Sequence, residues 1–339
     1  MIKTAVLQER NTARPPLPDS SACSAQELRR QCEAYKYACL EPQLNLARQI
    51  IQQDIDLLVF REDCNGAGSF AHRIDCPQIF ETLAETISGP TCQQLSQVAR
   101  QGDCYVVGCF FESLNDRIYN TALILDPGGK VVGKYHKTHL PPLERFMVTP
   151  GSELPVFQTD IGVIGMLICY DMMTPEVCRC LALQGADVLC WPSLGYGWWN
   201  EAGDFTVRSR AHDNQVYILG ALPDHSCIVD PSGDFIASGG DQPLAVLLAE
   251  IQPGVDPLQP PLHHNAFLTQ TPSLRERHLF ERRPDLYSTL IEPSPRLMER
   301  YPHTHMHDLE QKPQEIFERY QHEQDTLTWQ SRPDRLTGV

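Results

Sequence analysis

The chain has 339 residues, 42% of them apolar, and 28 Lys+Arg stand against 43 Asp+Glu for a formal net charge of −15. This excess of carboxylates repels phosphate backbones and anionic membrane surfaces, and no basic run is longer than Arg29-Arg30 or Arg282-Arg283, so neither partner is expected. No apolar run reaches the ~18 residues of a membrane span, and Met1–Arg10 lacks a secretory leader, which predicts a soluble cytoplasmic protein. Thirteen cysteines, an odd number in a large chain, predict reduced thiols packed as small apolar groups. Cys178-x-Cys180 has neither the spacing nor the second pair of a metal knuckle, so no metal is expected.

Along the chain, Thr4–Leu7 reads as a strand, and Ser24-Ala25-Gln26-Glu27 is a capping box that opens a helix. A second helical stretch, Pro42–Gln53, places Leu46, Ile50 and Ile51 on one face and runs into an apolar strand, Asp56–Phe60. Cys92–Arg100 reads as a helix before the strand Tyr105–Phe110. Thr121–Leu125 and Val131–Val132 flank the turn Asp126-Pro127-Gly128-Gly129 as a hairpin. A long apolar strand, Ile161–Ile168, ends at Cys169. Pro175 then suits the first turn of a helix that runs through Leu183 and stops at Gly185. Strand Val188–Trp191, helix Phe205–Asn214, strand Val216–Ala221, a hairpin across Asp230-Pro231-Ser232-Gly233 and strand Ala245–Ile251 follow.

This alternation with interspersed hairpins predicts a layered α/β domain over residues 1–251. From Gln252 onward prolines interrupt the chain, and only Ser273–Arg282 and Gln314–Gln330 read as helices. Residues 252–339 are therefore expected to be a C-terminal extension, an interface or a tail rather than a second core. The alternate spacing of His303-x-His305-x-His307 in that tail reads as solvated histidines.

Three reactive side chains sit just past apolar strands: Glu62 after Asp56–Phe60, Lys137 in Gly133–Leu140, and Cys169 after Ile164–Ile168. Strand ends are where α/β sheets place their sites. Taken singly, each has a plainer reading, as a packed thiol, an exposed carboxylate, or a solvated cation beside Lys134 and His136.

Taken together and in this order, the three segments resemble the carbon–nitrogen hydrolase (nitrilase) superfamily from Thr4 to about Ile251. Arg208–Asn214 and Ser226–Gly233 extend the resemblance. It implies a four-layer αββα sandwich and a Glu62, Lys137, Cys169 triad. In that reading Cys169 attacks a carbonyl or nitrile carbon, and Glu62 takes the thiol proton. Lys137 and the backbone N–H of Tyr170 hold the oxyanion. Glu144, seven residues past Lys137, is carried over as a group that orients the lysine or the substrate, with pairing to Arg145 or exposure to water as its plainer reading. Trp191-Pro192-Ser193 through Trp199 is expected to line the pocket, with Trp191 and Ser193 positioning the substrate.

Three departures stand out. Arg61 replaces the usual proline before the glutamate, with a role in tuning its charge or reaching a substrate carboxylate. Thr174 replaces a bulky aromatic, and Tyr170-Asp171 after the nucleophile favours the amidase and carbamoylase branches over nitrilases. The expected activity is cleavage of a small primary amide to a carboxylate and ammonia through a Cys169 thioester, with no cofactor. N-carbamoyl amidohydrolase and nitrilase are the alternative chemistries, and an inactive assembly scaffold the alternative without chemistry. The resemblance also implies a homodimer or a larger homo-oligomer.

Overall fold

Strand Leu57–Val59 carries the logic of the whole fold. Leu57 and Val59 point into one apolar core while Leu58 and its neighbour Phe60 point into another, so a continuous apolar run is a strand buried on both faces. The computed structural model describes residues 1–10, 15–19, 24–71, 77–195, 201–255, 273–292 and 294–300. Its strands are β1 (Ile2–Glu9), β2 (Leu57–Val59), β3 (Tyr105–Leu114), β4 (Arg117–Leu125), β5 (Val131–His136) and β6 (Val156–Thr159). They continue with β7 (Gly162–Met166), β8 (Val188–Pro192), β9 (Tyr217–Ala221), β10 (Cys227–Val229), β11 (Phe235–Ser238) and β12 (Leu244–Ile251).

Two six-stranded sheets result, ordered β12-β1-β2-β3-β4-β5 and β11-β10-β9-β8-β7-β6. Each is mixed: β1-β2-β3 and β7-β8-β9 pair in parallel, and the outer strands pair antiparallel. Val59, Val107, Ala122 and Ile124 of one sheet meet Ile164, Met166, Val188 and Leu219 of the other to form the central core. Helices α1 (Ala25–Ile50), α2 (Pro77–Leu83) and α3 (Pro90–Gly102) belong to the first sheet, where Leu44, Ala47, Leu95 and Val98 cover Leu58, Phe60 and Val106. Helices α4 (Pro175–Leu183) and α5 (Glu201–Asn214) cover the second sheet through Val177, Leu181, Val207 and Ala211. The expected four-layer αββα sandwich is the observed architecture.

Local differences have local causes. The two helical stretches expected on either side of Pro42 form one helix, α1, capped where Ser24 Oγ accepts the Glu27 N–H. A proline inside a helix forfeits a hydrogen bond and costs about 3 kcal/mol. The buried face on both sides of it, Cys39, Leu40, Leu44, Ala47 and Ile50, offsets that cost by packing on the sheet. Strand β7 ends at Met166, short of the expected Ile168, because Ile168 N–H turns to a side chain rather than to a neighbouring strand. β3 and β4 run to Leu114 and back from Arg117 through Asn115 and Asp116, both left-handed at φ 50° and 59°. That geometry suits a two-residue hairpin.

Part of the extension is described. Helix α6 (Leu274–Phe280) is capped by Ser273, and its Leu279 packs on the second helical layer. Its Arg275 pairs with Asp187 at 2.7 Å and donates to the Ala186 carbonyl at 2.9 Å. A further short helix, α7, spans Pro295–Arg300. The expected helix at 314–330 and the histidines at 303, 305 and 307 lie outside the described residues. Among the described residues, no helix is long and apolar enough to cross a membrane.

Arg275→Ala leaves Asp187 largely buried without its partner. We expect a loss of about 2–3 kcal/mol in urea unfolding, the scale of a hydrogen bond to a charged group. An unchanged midpoint would mean that α6 adds nothing to the stability of the sandwich.

Candidate active site

Each expected residue stands at an interruption of a sheet. Past β2 the chain stays anchored to β3, with Phe60 N–H on the Val107 carbonyl and Cys64 N–H on the Cys109 carbonyl, which holds Glu62 at the strand end. Arg61 turns away from the site. Its guanidinium grips Glu9 at 3.0 Å and donates to the carbonyls of Glu62 and Asp63, so it fixes the backbone that carries Glu62. It is 5% exposed and fully engaged, which corrects the expectation that it reaches a substrate carboxylate.

Lys137 follows β5, its N–H on the Asn120 carbonyl and its own carbonyl accepting from Gly151. Gly151 comes so close that a Cβ there would stand 2.2 Å from the His136 carbonyl oxygen, so this crossing requires glycine. Lys134 and His136 form no solvated basic patch with Lys137. Both pair with the buried Glu112 at 2.7 Å, while Lys137 is 2% exposed.

Four side chains close a ring of hydrogen bonds. Lys137 Nζ donates to Glu62 Oε1 at 3.0 Å and to Glu144 Oε2 at 2.7 Å, and Asn120 Nδ2 donates to Glu62 Oε1 and Glu144 Oε1, both at 2.8 Å. Glu62 Oε2 accepts the Leu194 N–H at 2.7 Å. Burial works against the Lys137 charge, but the carboxylates of Glu144 and Glu62 outweigh it and lift the ammonium well above its ordinary value. Burial and the neighbouring Glu62 push the Glu144 carboxyl up, against the pull of Lys137 and Asn120.

Cys169 sits at φ 45°, a left-handed conformation that costs a non-glycine residue about 1–2 kcal/mol. It opens a short helical turn, Cys169–Met173, beyond β7. Burial and Glu62 push the thiol up to about 12, although Lys137 and a hydrogen bond with Ser193 act the other way. Burial and Glu62 thus favour the neutral thiol over the thiolate, in the same enclosure as the ring. The Trp191 indole donates to the Cys169 carbonyl at 3.1 Å and is otherwise buried in the core. Tyr170 follows in the turn, where the first N–H groups have no acceptor within the helix. The expected pocket residues Trp198 and Trp199 lie outside the described residues.

Two organising residues escaped the sequence reading. Asp171 is fully buried, and its Oδ2 accepts Ile168 N–H and Tyr135 O–H, both at 2.8 Å. Its Oδ1 accepts the Thr138 hydroxyl at 3.1 Å and the His139 N–H at 2.9 Å. One carboxylate thus ties both flanks of Lys137 to the turn that carries Cys169. Asn120 is the other. On β4 it shares a face with the core residues Ala122 and Ile124, so alternation alone puts a polar amide between the sheets. That was the available signal.

The sequence profile of the family described as Carbon-nitrogen hydrolase matches residues 30–257. The deaminated glutathione amidase of Mus musculus is 33% identical over 246 residues, 62% of this chain and 70% of the relative. The omega-amidase NIT2 of Homo sapiens is 31% identical over 189 residues, 48% of this chain and 67% of that protein. The crystal structure of Saccharomyces cerevisiae Nit3, a member of branch 10 of the nitrilase superfamily, superposes with a TM-score of 0.59 at 26% identity and covers 74% of this chain and 90% of that one. The crystal structure of an amidase from Nesterenkonia sp. matches in fold, with a TM-score of 0.58 at 20% identity over 74% of this chain and 90% of that chain.

The raised thiol and the Asp171 clamp each give a test. A wild-type minus Cys169→Ala absorbance titration is expected to show thiolate only in strongly alkaline solution, and a midpoint near the ~8.5 of a free thiol would contradict the buried neutral state. Asp171→Asn replaces acceptor lone pairs with an N–H₂ that faces donors. Thermal unfolding is expected to show a loss of about 1–3 kcal/mol.

Proposed function

Because the chain belongs to the carbon–nitrogen hydrolase family, we propose that it is a thiol amidohydrolase that converts a small primary amide to a carboxylate and ammonia. The observation that carries this reading is the buried ring of Glu62, Lys137, Glu144 and Asn120 around one ammonium, in the enclosure of a neutral thiol on a left-handed turn.

The chemistry follows from the charges. A thiol held near 12 supplies almost no thiolate at neutral pH, so its proton must leave as the sulfur attacks. Glu62 takes that proton while the S–C bond forms and the carbonyl oxygen becomes an oxyanion. The Lys137 ammonium, charged and fixed before the reaction, and the Tyr170 N–H stabilise that oxygen. Glu62 then gives its proton to the amine as the C–N bond breaks and ammonia leaves. A water deprotonated by Glu62 attacks the thioester, and the returning proton regenerates the thiol and frees the acid. Glu144 carries the second negative charge that keeps Lys137 charged between substrates.

Ureide cleavage is the second reading. The N-carbamoylputrescine amidase of Solanum tuberosum is 27% identical over 248 residues, 63% of this chain and 77% of that protein. It differs from amide hydrolysis in releasing carbon dioxide with the ammonia.

A panel of aliphatic and dicarboxylic acid monoamides, ureides and nitriles, scored for ammonia and carbon dioxide, tests the assignment. We expect ammonia without carbon dioxide from at least one amide, and a fall of at least about a thousandfold in Cys169→Ala. Turnover of nitriles alone would overturn the amidase assignment. Turnover that survives Cys169→Ala would remove the thioester.

A further inference from the structure

Glu62 has two oxygens in unequal surroundings. Oε1 accepts two donors, the Lys137 ammonium and the Asn120 amide, whereas Oε2 accepts only the Leu194 N–H among the described residues. A carboxylate oxygen offers two lone pairs, so Oε1 is filled and Oε2 keeps one. Asn120 supplies the second of the two Oε1 donors. It is fully buried, and its Nδ2 spans both carboxylates at 2.8 Å. Its Oδ1 accepts the Cys109 S–H at 3.3 Å, which fixes the amide with its nitrogen toward the acids.

We propose that Asn120 is a positioning residue that saturates Glu62 Oε1 and so commits the thiol proton of Cys169 to Glu62 Oε2. The inference rests on Glu62 being the base of the proposed reaction. It adds a division of labour between the two oxygens, with Oε1 the anchor and Oε2 the proton acceptor. The same amide donates to Glu144 and opposes the upward pressure of burial on that acid. Two carboxylates so close would otherwise favour sharing a proton, and a proton on either would loosen the grip on Lys137. The titratable groups around Glu62 come from four directions: Cys109 on β3, Lys137 at the end of β5, Glu144 in the following loop and Cys169 beyond β7. Asn120 donates to both acids as a neutral amide, so it holds them without adding charge.

The test uses methyl vinyl ketone, a Michael acceptor with no C–N bond to hydrolyse, so its addition to Cys169 reads the thiol proton transfer without knowledge of the substrate. The thiol proton passes to Glu62, the S–C bond forms at the terminal carbon, and the proton returns to the carbon beside the carbonyl. Intact-mass rates are measured against pH on the full chain, with Cys169→Ala as the blank. Asn120→Leu removes both amide hydrogen bonds that favour ionised carboxylates, so protons return at higher pH. The acidic limb of the alkylation profile is expected to move up by about one pH unit, and the plateau to fall about tenfold as the acid loses its orientation. Cys109→Ala frees the amide to rotate, and is expected to move the limb in the same direction by less. A merely structural role would lower the melting temperature and leave the limb in place.

An unmoved limb in folded Asn120→Leu overturns the proposal. If that variant does not fold, an unmoved limb in Cys109→Ala overturns it instead. These outcomes are separate from failure of the amidase assignment, which the substrate panel reads in the wild-type protein.

Discussion

The constraint on which the site depends is that a lysine ammonium must remain charged out of water. Taking such a cation from solvent costs several kcal/mol even after relaxation, and the cost is recovered only by opposite charge in good hydrogen-bond geometry. Lys137 meets Glu62 at 3.0 Å and Glu144 at 2.7 Å, and these must come from different parts of the chain to reach it from two sides. Glu62 arrives from the end of β2, and Glu144 from the one-turn helix Glu144–Phe146 past the Pro141-Pro142 corner. The sandwich satisfies the constraint by ending β2, β5 and β7 close together while keeping their apolar runs in the core.

Holding those ends together is the task of residues that do no bond-making. Arg61 binds Glu9, the last residue of β1, and grips the carbonyls of the two residues that follow it, so the Glu62 backbone is tied to the end of the neighbouring strand. Asp171 performs the equivalent task between β5 and β7. Its two oxygens receive Ile168 and Tyr135 on one side and Thr138 and His139 on the other. An oxyanion donor and a nucleophile that drift by an ångström lose on the order of a hundredfold in rate, so a fully buried carboxylate with several donors is a proportionate device.

The same distinction separates what was legible in the sequence from what was not. Glu62, Lys137 and Cys169 were visible because reactive side chains directly past apolar strands break a pattern that runs along the chain. β2, β8 and α4 were visible because their signals are equally local: β-branched and leucine runs, or a proline at the first helical turn. The expectation that Arg61 reaches a substrate carboxylate failed because its partner, Glu9, is 52 positions away and joins it through the parallel pairing of β1 with β2. Pro42 looked like a helix boundary because its cost is local while its compensation, the packing of Leu44 and Ala47 on Phe60 and Leu58, is tertiary. Asn120 was overlooked for the opposite reason. Its neighbours spell an apolar strand so clearly that the polar residue on the inward face passed as an edge of the pattern.

The ring also explains how a neutral thiol can serve in an enclosure that already holds more carboxylate than cation. Before reaction Glu62 and Glu144 face one ammonium, an excess of one negative charge, and Cys169 carries none. In the proposed reaction, transfer of the thiol proton to Glu62 moves one negative charge from oxygen to sulfur, and attack moves it on to the carbonyl oxygen beside Lys137. The total charge in the enclosure is then the same at every stage, so no step brings a new net charge out of water. A thiolate formed in advance would add a third anion next to the two acids, which is the state that burial and Glu62 together make unfavourable by raising the thiol to about 12. In the proposed reaction the proton therefore stays on sulfur until a substrate carbonyl is present to take up the charge.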